Sequence, residues 1–319
     1  MASAVRRPSL DQFQSARERL AGTALGTPLV PMHSYDNSRD LFLKLETHQP
    51  INSFKLRGVF NAVAALPEER RAAGLSTTSA GNTAQALAWC GRHFGVEARA
   101  LMPETAPRTK VAAVEAYGGT PVLIPGAEVF RFMREHGWEQ EPYAFIHAWL
   151  DPEVLAGHGT LGLEIIEELP DVDTVFIPVG GGGLIAGVGS ALKTLKPTVR
   201  IVAVEPVGCP SLQQSLELGH ATSVECRTIC DGTAVPFIVE ELFPLLRELV
   251  DDVMLVSDDD VRSAMRRLAT GNKLITEGAG ALATAAALAT AVAERGLSVA
   301  IVSGGSIDTP LLLEILGDA

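Results

Sequence analysis

Lys55 lies in the segment Ser53-Phe54-Lys55-Leu56-Arg57-Gly58, and far downstream stand four consecutive glycines, Gly180 to Gly183. The first segment offers an amine and the second a cradle for an anion. Lys55 follows the apolar run Leu41-Phe42-Leu43-Lys44-Leu45 and has bulky Phe54 beside it, a setting that partly shields the amine from water. Desolvation lowers an amine's pKa and makes it a competent nucleophile toward an aldehyde. A surface lysine opening a helix is the plain alternative.

The glycine run follows the strand-like Thr174 to Val179 and opens a helix expected near Leu184, so backbone N–H groups and the positive helix end converge there. Phosphate is the natural guest of such a loop; a tight turn is the plain alternative. Gly181-x-Gly183-x-x-Ala186 also satisfies the dinucleotide fingerprint, with Glu205 ending the next strand where an acidic residue would bind a ribose. That NAD reading leaves Lys55 and two further motifs unexplained. Ser79-Ala80-Gly81-Asn82-Thr83 follows the short strand Ser76 to Thr78 and gathers hydroxyl, amide and helix N–H groups suited to a carboxylate. Ser303-Gly304-Gly305-Ser306 ends the run Ser298 to Val302, again at a carboxyl strand edge.

The elements that must position these motifs follow an α/β rhythm. Ala98 to Met102, Pro121 to Pro125, Thr174 to Val179, Arg200 to Val204, Val253 to Val256 and Ser298 to Val302 look like buried parallel strands. Between them helices are expected over Phe54 to Leu66, Asn82 to His93, Arg108 to Tyr117, Leu184 to Leu195, Asp258 to Ala269 and Glu277 to Ala293. Boundaries near Ala73-Gly74 and Asp151-Pro152 predict a large unit of residues 1–73 and 152–319 and a smaller unit of residues 74–151. A ligand cleft is expected between them.

The chain's 319 residues allow a real core, and its net charge of −12 argues against a nucleic-acid partner. Met1 to Pro8 lacks the apolar core of a signal peptide, and Ser9 to Leu20 reads as an amphipathic helix. A cytoplasmic protein is expected. The most apolar stretch, Gly278 to Val292, falls short of the roughly 20 residues of a membrane span and reads as a buried helix. Cys90, Cys209, Cys226 and Cys230 form no CxxC pair and are expected as reduced thiols. The seven histidines show no metal-binding spacing, so no transition-metal site is expected.

Taken in order, these motifs give the chain a resemblance, over nearly its whole length, to the fold-type II pyridoxal-phosphate enzymes of the serine/threonine dehydratase group. The resemblance implies a tryptophan synthase β-like α/β fold of two open, twisted, mainly parallel sheets flanked by helices. Lys55 matches the family's Schiff-base lysine, with Phe54 beside the cofactor ring. Gly180, Gly181, Gly182, Gly183 and the N–H of Leu184 match the loop that binds the cofactor phosphate. Asn82 matches the residue hydrogen-bonded to the ring hydroxyl, and Ser303 the residue facing the pyridine nitrogen. Ser79, Ala80, Gly81, Asn82 and Thr83 match the loop that holds the substrate carboxylate. The implied reaction is α,β-elimination of water from a β-hydroxy-L-amino acid, with Lys55 removing the α-proton, to give a 2-oxo acid and ammonia. The implied assembly is a homodimer whose smaller unit closes over the substrate.

Several positions depart from the pattern. Ala80 stands where related serine racemases carry a second serine, so feeble racemisation is expected. Leu56 replaces the aspartate of cysteine and threonine synthases, which favours elimination over β-replacement. Thr83 resembles the synthases instead, and Pro50-Ile51-Asn52 replaces the usual Thr-Gly; both point to a substrate other than plain serine or threonine, such as a bulkier 3-arylserine. For 3-hydroxyaspartate the sequence assigns no second cation. Glu205, Cys209 and Ser211 occupy the positions of a structural Mg²⁺ or Ca²⁺ site, and the lost carboxylate argues against metal dependence. The chain ends at Ala319, leaving no room for an isoleucine-sensing regulatory domain. A β-replacement synthase, an NAD-dependent dehydrogenase and a catalytically dead binding protein remain as alternatives.

Overall fold

The computed structural model describes residues 4–33 and 39–317. The first three residues of the amino-terminal stretch and the terminal Ala319 lie outside the described residues. Among the described residues ten strands are formed: β1 (Leu29–Pro31), β2 (Leu41–Leu45), β3 (Leu75–Thr78), β4 (Ala98–Pro103), β5 (Thr120–Ile124), β6 (Ala144–Phe145), β7 (Thr174–Pro178), β8 (Arg200–Pro206), β9 (Asp252–Val256) and β10 (Ser298–Val302). They build a six-stranded sheet in the order β1-β2-β10-β7-β8-β9 and a four-stranded sheet in the order β5-β4-β3-β6. Every pairing between these strands is parallel except that of β1 with β2.

Residues of β7 and β10 are buried on both faces, as expected of central strands flanked by helices. In β10, Val299 and Ile301 pack toward the helices Pro152–Glu168 and Gly183–Leu195, while Ala300 and Val302 face the alanine-rich helix Gly278–Ala289. That helix is buried as its composition requires, and no helix among the described residues is long and apolar enough to cross a membrane.

Four differences from the sequence reading have physical causes. The helix expected over Glu277 to Ala293 is broken into Gly278–Ala289 and Val292–Arg295; Thr290 Oγ1 donates to the Ala286 carbonyl at 2.9 Å where the first ends. The strands β1 and β6, three and two residues long, are too short to show a period. The helix Pro152–Glu168, absent from the sequence reading, is started by Asp151, whose carboxylate accepts the Glu153 N–H at 2.9 Å. The expectation of reduced thiols is corrected at Cys209 and Cys226, which form a disulfide. The loop after β8 folds onto the segment beyond Thr222, bringing the two Cα atoms to 4.5 Å across 17 residues of chain, a proximity that spacing does not reveal. Cys90 and Cys230 are free and buried.

The helix Lys55–Ala65 is anchored by charge. Arg57, 2% exposed, lies between two carboxylates. Its Nε and Nη2 donate to Glu46 at 2.8 and 2.9 Å, and its Nη1 and Nη2 to Glu164 at 2.6 and 2.9 Å. Lys44, on β2, adds contacts to Glu164 at 2.8 Å and Glu168 at 2.5 Å. One cluster thus ties the lysine-bearing helix to the end of β2 and to the helix Pro152–Glu168. Removing one partner of such a pair strands the other's charge, at a cost of about 3–5 kcal/mol. Arg57→Leu should therefore lower the unfolding free energy by about that amount in urea denaturation; a loss under about 1 kcal/mol would mean that the cluster does not hold the helix.

Candidate active site

Four segments that leave the carboxyl ends of parallel strands enclose a cavity of about 370 Å³. They follow β2, β3, β7 and β10, so the cavity has walls from both sheets. The residues that the resemblance assigns to cofactor and substrate all line it: Phe54, Lys55, Ser79, Ala80, Gly81, Asn82, Thr83, Gly180, Gly181, Gly182, Gly183, Leu184 and Ser303.

Lys55 begins its helix, and the chain just before it is stitched to the end of β10: the Phe54 N–H donates to the Ser303 carbonyl at 3.1 Å, and Ser53 bridges Gly304. The Lys55 Nζ lies 4.8 Å from the centre of the Phe54 ring. Burial lowers its amine from 10.5 to about 8, against an opposing pull from the Glu277 carboxylate. Behind Phe54, His158 packs edge to face at 4.9 Å. Both of its ring nitrogens are buried without a hydrogen-bond partner among the described residues. Burial, and then the charges of Lys55 and Arg57, hold this imidazole well below its usual pKa, so it is a neutral wall.

The glycine loop leaves β7 and turns into the helix Gly183–Leu195. Gly182 has φ +89°, a conformation that a side chain resists, and a Cβ at Gly183 would come within 2.5 Å of the Ala148 carbonyl oxygen. The loop therefore presents bare backbone at a helix start, a cradle that fits a phosphoryl group. On the facing side the helix Asn82–Phe94 starts at the cavity, where its first N–H groups lack intrahelical partners. The Ser79 hydroxyl accepts the Gly81 N–H at 3.0 Å, which shapes the turn. The Ser303 hydroxyl donates to the Ala279 carbonyl at 3.2 Å. A buried amine of lowered pKa, a bare glycine loop at one helix start and a turn at another, all in one cavity, fit a pyridoxal group together with an amino acid.

Sequence reasoning missed several lining residues. Glu277 is buried and accepts from Asn82 Nδ2 at 2.8 Å. Burial first, and then Asp231, raise its carboxyl to about 7, while Lys110, the Asn82 hydrogen bond and Lys55 pull it down. Its one sequence signal is an acidic residue directly before an apolar, small-residue helix. Lys110 lines the cavity too, but it is ion-paired with Asp231. It is the second cation that the sequence did not supply for 3-hydroxyaspartate, and its charge is already matched. Trp149 packs over the glycine loop and meets Phe237 edge to face at 5.9 Å.

Glu205 does not reach the cavity. Its carboxylate accepts from the Leu212 and Gln213 N–H groups at 2.8 and 2.9 Å and from the Ser211 hydroxyl at 3.3 Å. It caps the helix Ser211–Leu218, which leaves no ribose site there, and the nicotinamide alternative fails with it.

The fold and the cavity together define a fold-type II pyridoxal-phosphate enzyme. The family model for pyridoxal-phosphate dependent enzymes matches residues 20–304. The catabolic L-threonine dehydratase of Escherichia coli (strain K12) is 38% identical over 97% of this chain and 96% of its own length. Among solved structures, maize serine racemase superposes with a TM-score of 0.87 at 32% identity, over 98% of both chains. The processed form of threonine deaminase isoform 2 from Solanum lycopersicum gives 0.83 at 33% identity, over 100% of this chain and 97% of its own. The chain belongs to the pyridoxal-phosphate dependent enzymes, in the serine/threonine dehydratase family of lyases, and its cofactor is pyridoxal 5'-phosphate.

A lysine whose amine is lowered to about 8 is a protonated, unreactive ammonium below that pH and a free nucleophile above it. In protein stripped of cofactor, reductive alkylation of the Lys55 peptide by formaldehyde should rise with a midpoint near pH 8. A midpoint at the ordinary 10.5, read by peptide mass analysis, would show that the amine is not desolvated.

Proposed function

We propose that the protein is a threonine/serine-type ammonia-lyase: it eliminates water from a β-hydroxy-L-amino acid, and the resulting enamine takes up water again on hydrolysis, so that the net products are a 2-oxo acid and ammonia. The observation that carries this reading is the Lys55 amine, lowered toward neutrality and opening onto the same cavity as the glycine loop and the Ser79–Thr83 turn. Its relatives' names, L-threonine dehydratase and threonine deaminase, support the substrate class.

In this reading Lys55 is the attachment lysine and Phe54 lies beside the ring. The N–H groups of Gly180 to Leu184 bind the phosphate, Asn82 faces the ring hydroxyl and Ser303 the ring nitrogen. Ser79, Ala80, Gly81, Asn82 and Thr83 hold the substrate carboxylate. Pyridoxal phosphate, when bound, supplies the electron sink that makes the α-proton acidic. The Lys55 amine takes that proton. Ala80 has no proton to return on the opposite face, so racemisation is weak. Val129, Met133, Trp149 and Phe237 give the cavity an apolar wall, which favours a β-substituent larger than a methyl group, such as the ring of phenylserine.

Residues 74–151 act as the smaller, closing unit against residues 1–73 and 152–319. Contacts that cross between the two support closure: Asn82 with Glu277, Lys110 with Asp231, and Thr109 Oγ1 with Asp308 Oδ1 at 2.5 Å. A cytoplasmic homodimer completes the reading.

Borohydride should bleach the yellow holoprotein and fix the cofactor to the Lys55 peptide. Lys55→Ala should lower 2-oxo acid production at least about a hundredfold; full activity in that variant would remove Lys55 from the chemistry. L-threonine, L-serine and threo-phenylserine should be compared with and without added thiol. A 2-oxo acid as main product supports the lyase, phenylserine with the highest kcat/KM supports the bulky-substrate reading, and a thiol adduct as main product would make the enzyme a β-replacement synthase.

A further inference from the structure

We propose that Glu277 is a positioning residue for the cofactor: its carboxylate takes one N–H of the Asn82 amide and so holds the amide's other N–H toward the ring hydroxyl of bound pyridoxal phosphate. The inference rests on the reading above in which Asn82 faces that hydroxyl.

An ionised carboxylate only accepts hydrogen bonds, whereas the two ends of an amide differ: the nitrogen donates twice and the oxygen accepts. The 2.8 Å contact from Asn82 Nδ2 to Glu277 Oε1 therefore decides which end of the amide meets Glu277. It leaves a single N–H on that nitrogen for a second acceptor. Without Glu277 the amide is free to make a half-turn and set its own oxygen against the oxygen of the ring, acceptor against acceptor.

The surroundings hold the pair in place. Glu277 is 4% exposed and directly precedes the buried helix Gly278–Ala289. Its backbone N–H donates to the Gly304 carbonyl at 3.2 Å. A Cβ at position 304 would fall 2.3 Å from Glu277 Oε1 and 3.2 Å from Asn82 Nδ2, so the glycine there leaves the pair the space that it occupies. Burying a carboxylate carries a large desolvation cost, which a purely space-filling residue would not incur. Asp231, Lys110, Lys55 and Asn82 are the groups that act on it. With its carboxyl near 7, the group is mostly ionised at pH 8.

The test is a double-mutant cycle on the reconstituted holoenzyme at pH 8, read as the dissociation constant for pyridoxal phosphate and the position of its visible absorption band. N82A and E277A should each weaken binding about tenfold and shift the band alike, and the double variant should be no worse than N82A. E277Q, whose side-chain oxygen still accepts from Asn82, should stay within about threefold of the native protein. Losses that multiply in the double variant, or an E277Q as weak as E277A, would overturn the proposal. Should E277A fail to fold, E277Q against N82A decides it: near-native affinity in E277Q supports the role, and affinity as low as in N82A overturns it. Borohydride trapping of the native protein separates this inference from its premise. No adduct at Lys55 removes the attachment reading itself, while an adduct together with multiplicative losses removes only the role of Glu277.

Discussion

A guanidinium buried two residues beyond Lys55 fixes the geometry on which the site depends. Arg57 cannot leave its place between Glu46 and Glu164 without exposing three charges to a medium that solvates them poorly. Its helix must therefore start where the end of β2 and the helix Pro152–Glu168 allow. The stitch from Phe54 to Ser303 then sets the direction in which Lys55 leaves the chain. Such an ion cluster contributes little net stability compared with an apolar core. What it supplies is register: a helix held only by apolar contacts could slide or rotate, and a rotation of one residue would carry the amine out of the cavity.

The electrostatics of the cavity follow from keeping that amine partly uncharged. Burial lowers the Lys55 pKa and the Glu277 carboxylate limits the drop, so the amine settles near 8 instead of being driven out of its useful range. The glycine loop, Gly180 to Gly183, offers backbone N–H groups to the cavity and has no lysine or arginine in it. A cationic cradle would pull the amine lower still and compete for the substrate carboxylate. His158, neutral behind Phe54, likewise adds no charge. The charged groups beyond Glu277 come as a pair, Lys110 with Asp231, which balances their influence on the reacting end of the cavity.

Much of this was legible in the sequence because each motif combines an apolar strand, a small-residue turn and a helix start. That pattern places Lys55, the glycine loop and Ser303 at the ends of parallel strands of one sheet, whose carboxyl ends lie on one side, and Ser79 to Thr83 at a strand end of the second sheet. Ser298 to Val302 and Thr174 to Val179 were readable as strands because burial on both faces demands continuous apolar runs. The strands β1 and β6 are too short for any period. Glu277, Trp149 and the Cys209–Cys226 pair stayed hidden for another reason. Each is defined by a neighbour remote in sequence, such as Asn82 across 195 residues, and no local pattern encodes that meeting.

The glycine fingerprint shows how far local chemistry can be trusted. A strand, bare glycines and a helix start make a phosphate site whatever molecule carries the phosphate. Gly181, Gly183 and Ala186 therefore fit a dinucleotide and a pyridoxal group equally well. The choice between them lies in what else the fold brings within reach. Glu205, which a dinucleotide would need, is turned away to cap the helix Ser211–Leu218, and Lys55, which only an aldehyde needs, is turned inward. The same strand-end architecture serves either cofactor, and the direction of two side chains, set by Arg57 at one and by a helix N-terminus at the other, decides which chemistry the cavity performs.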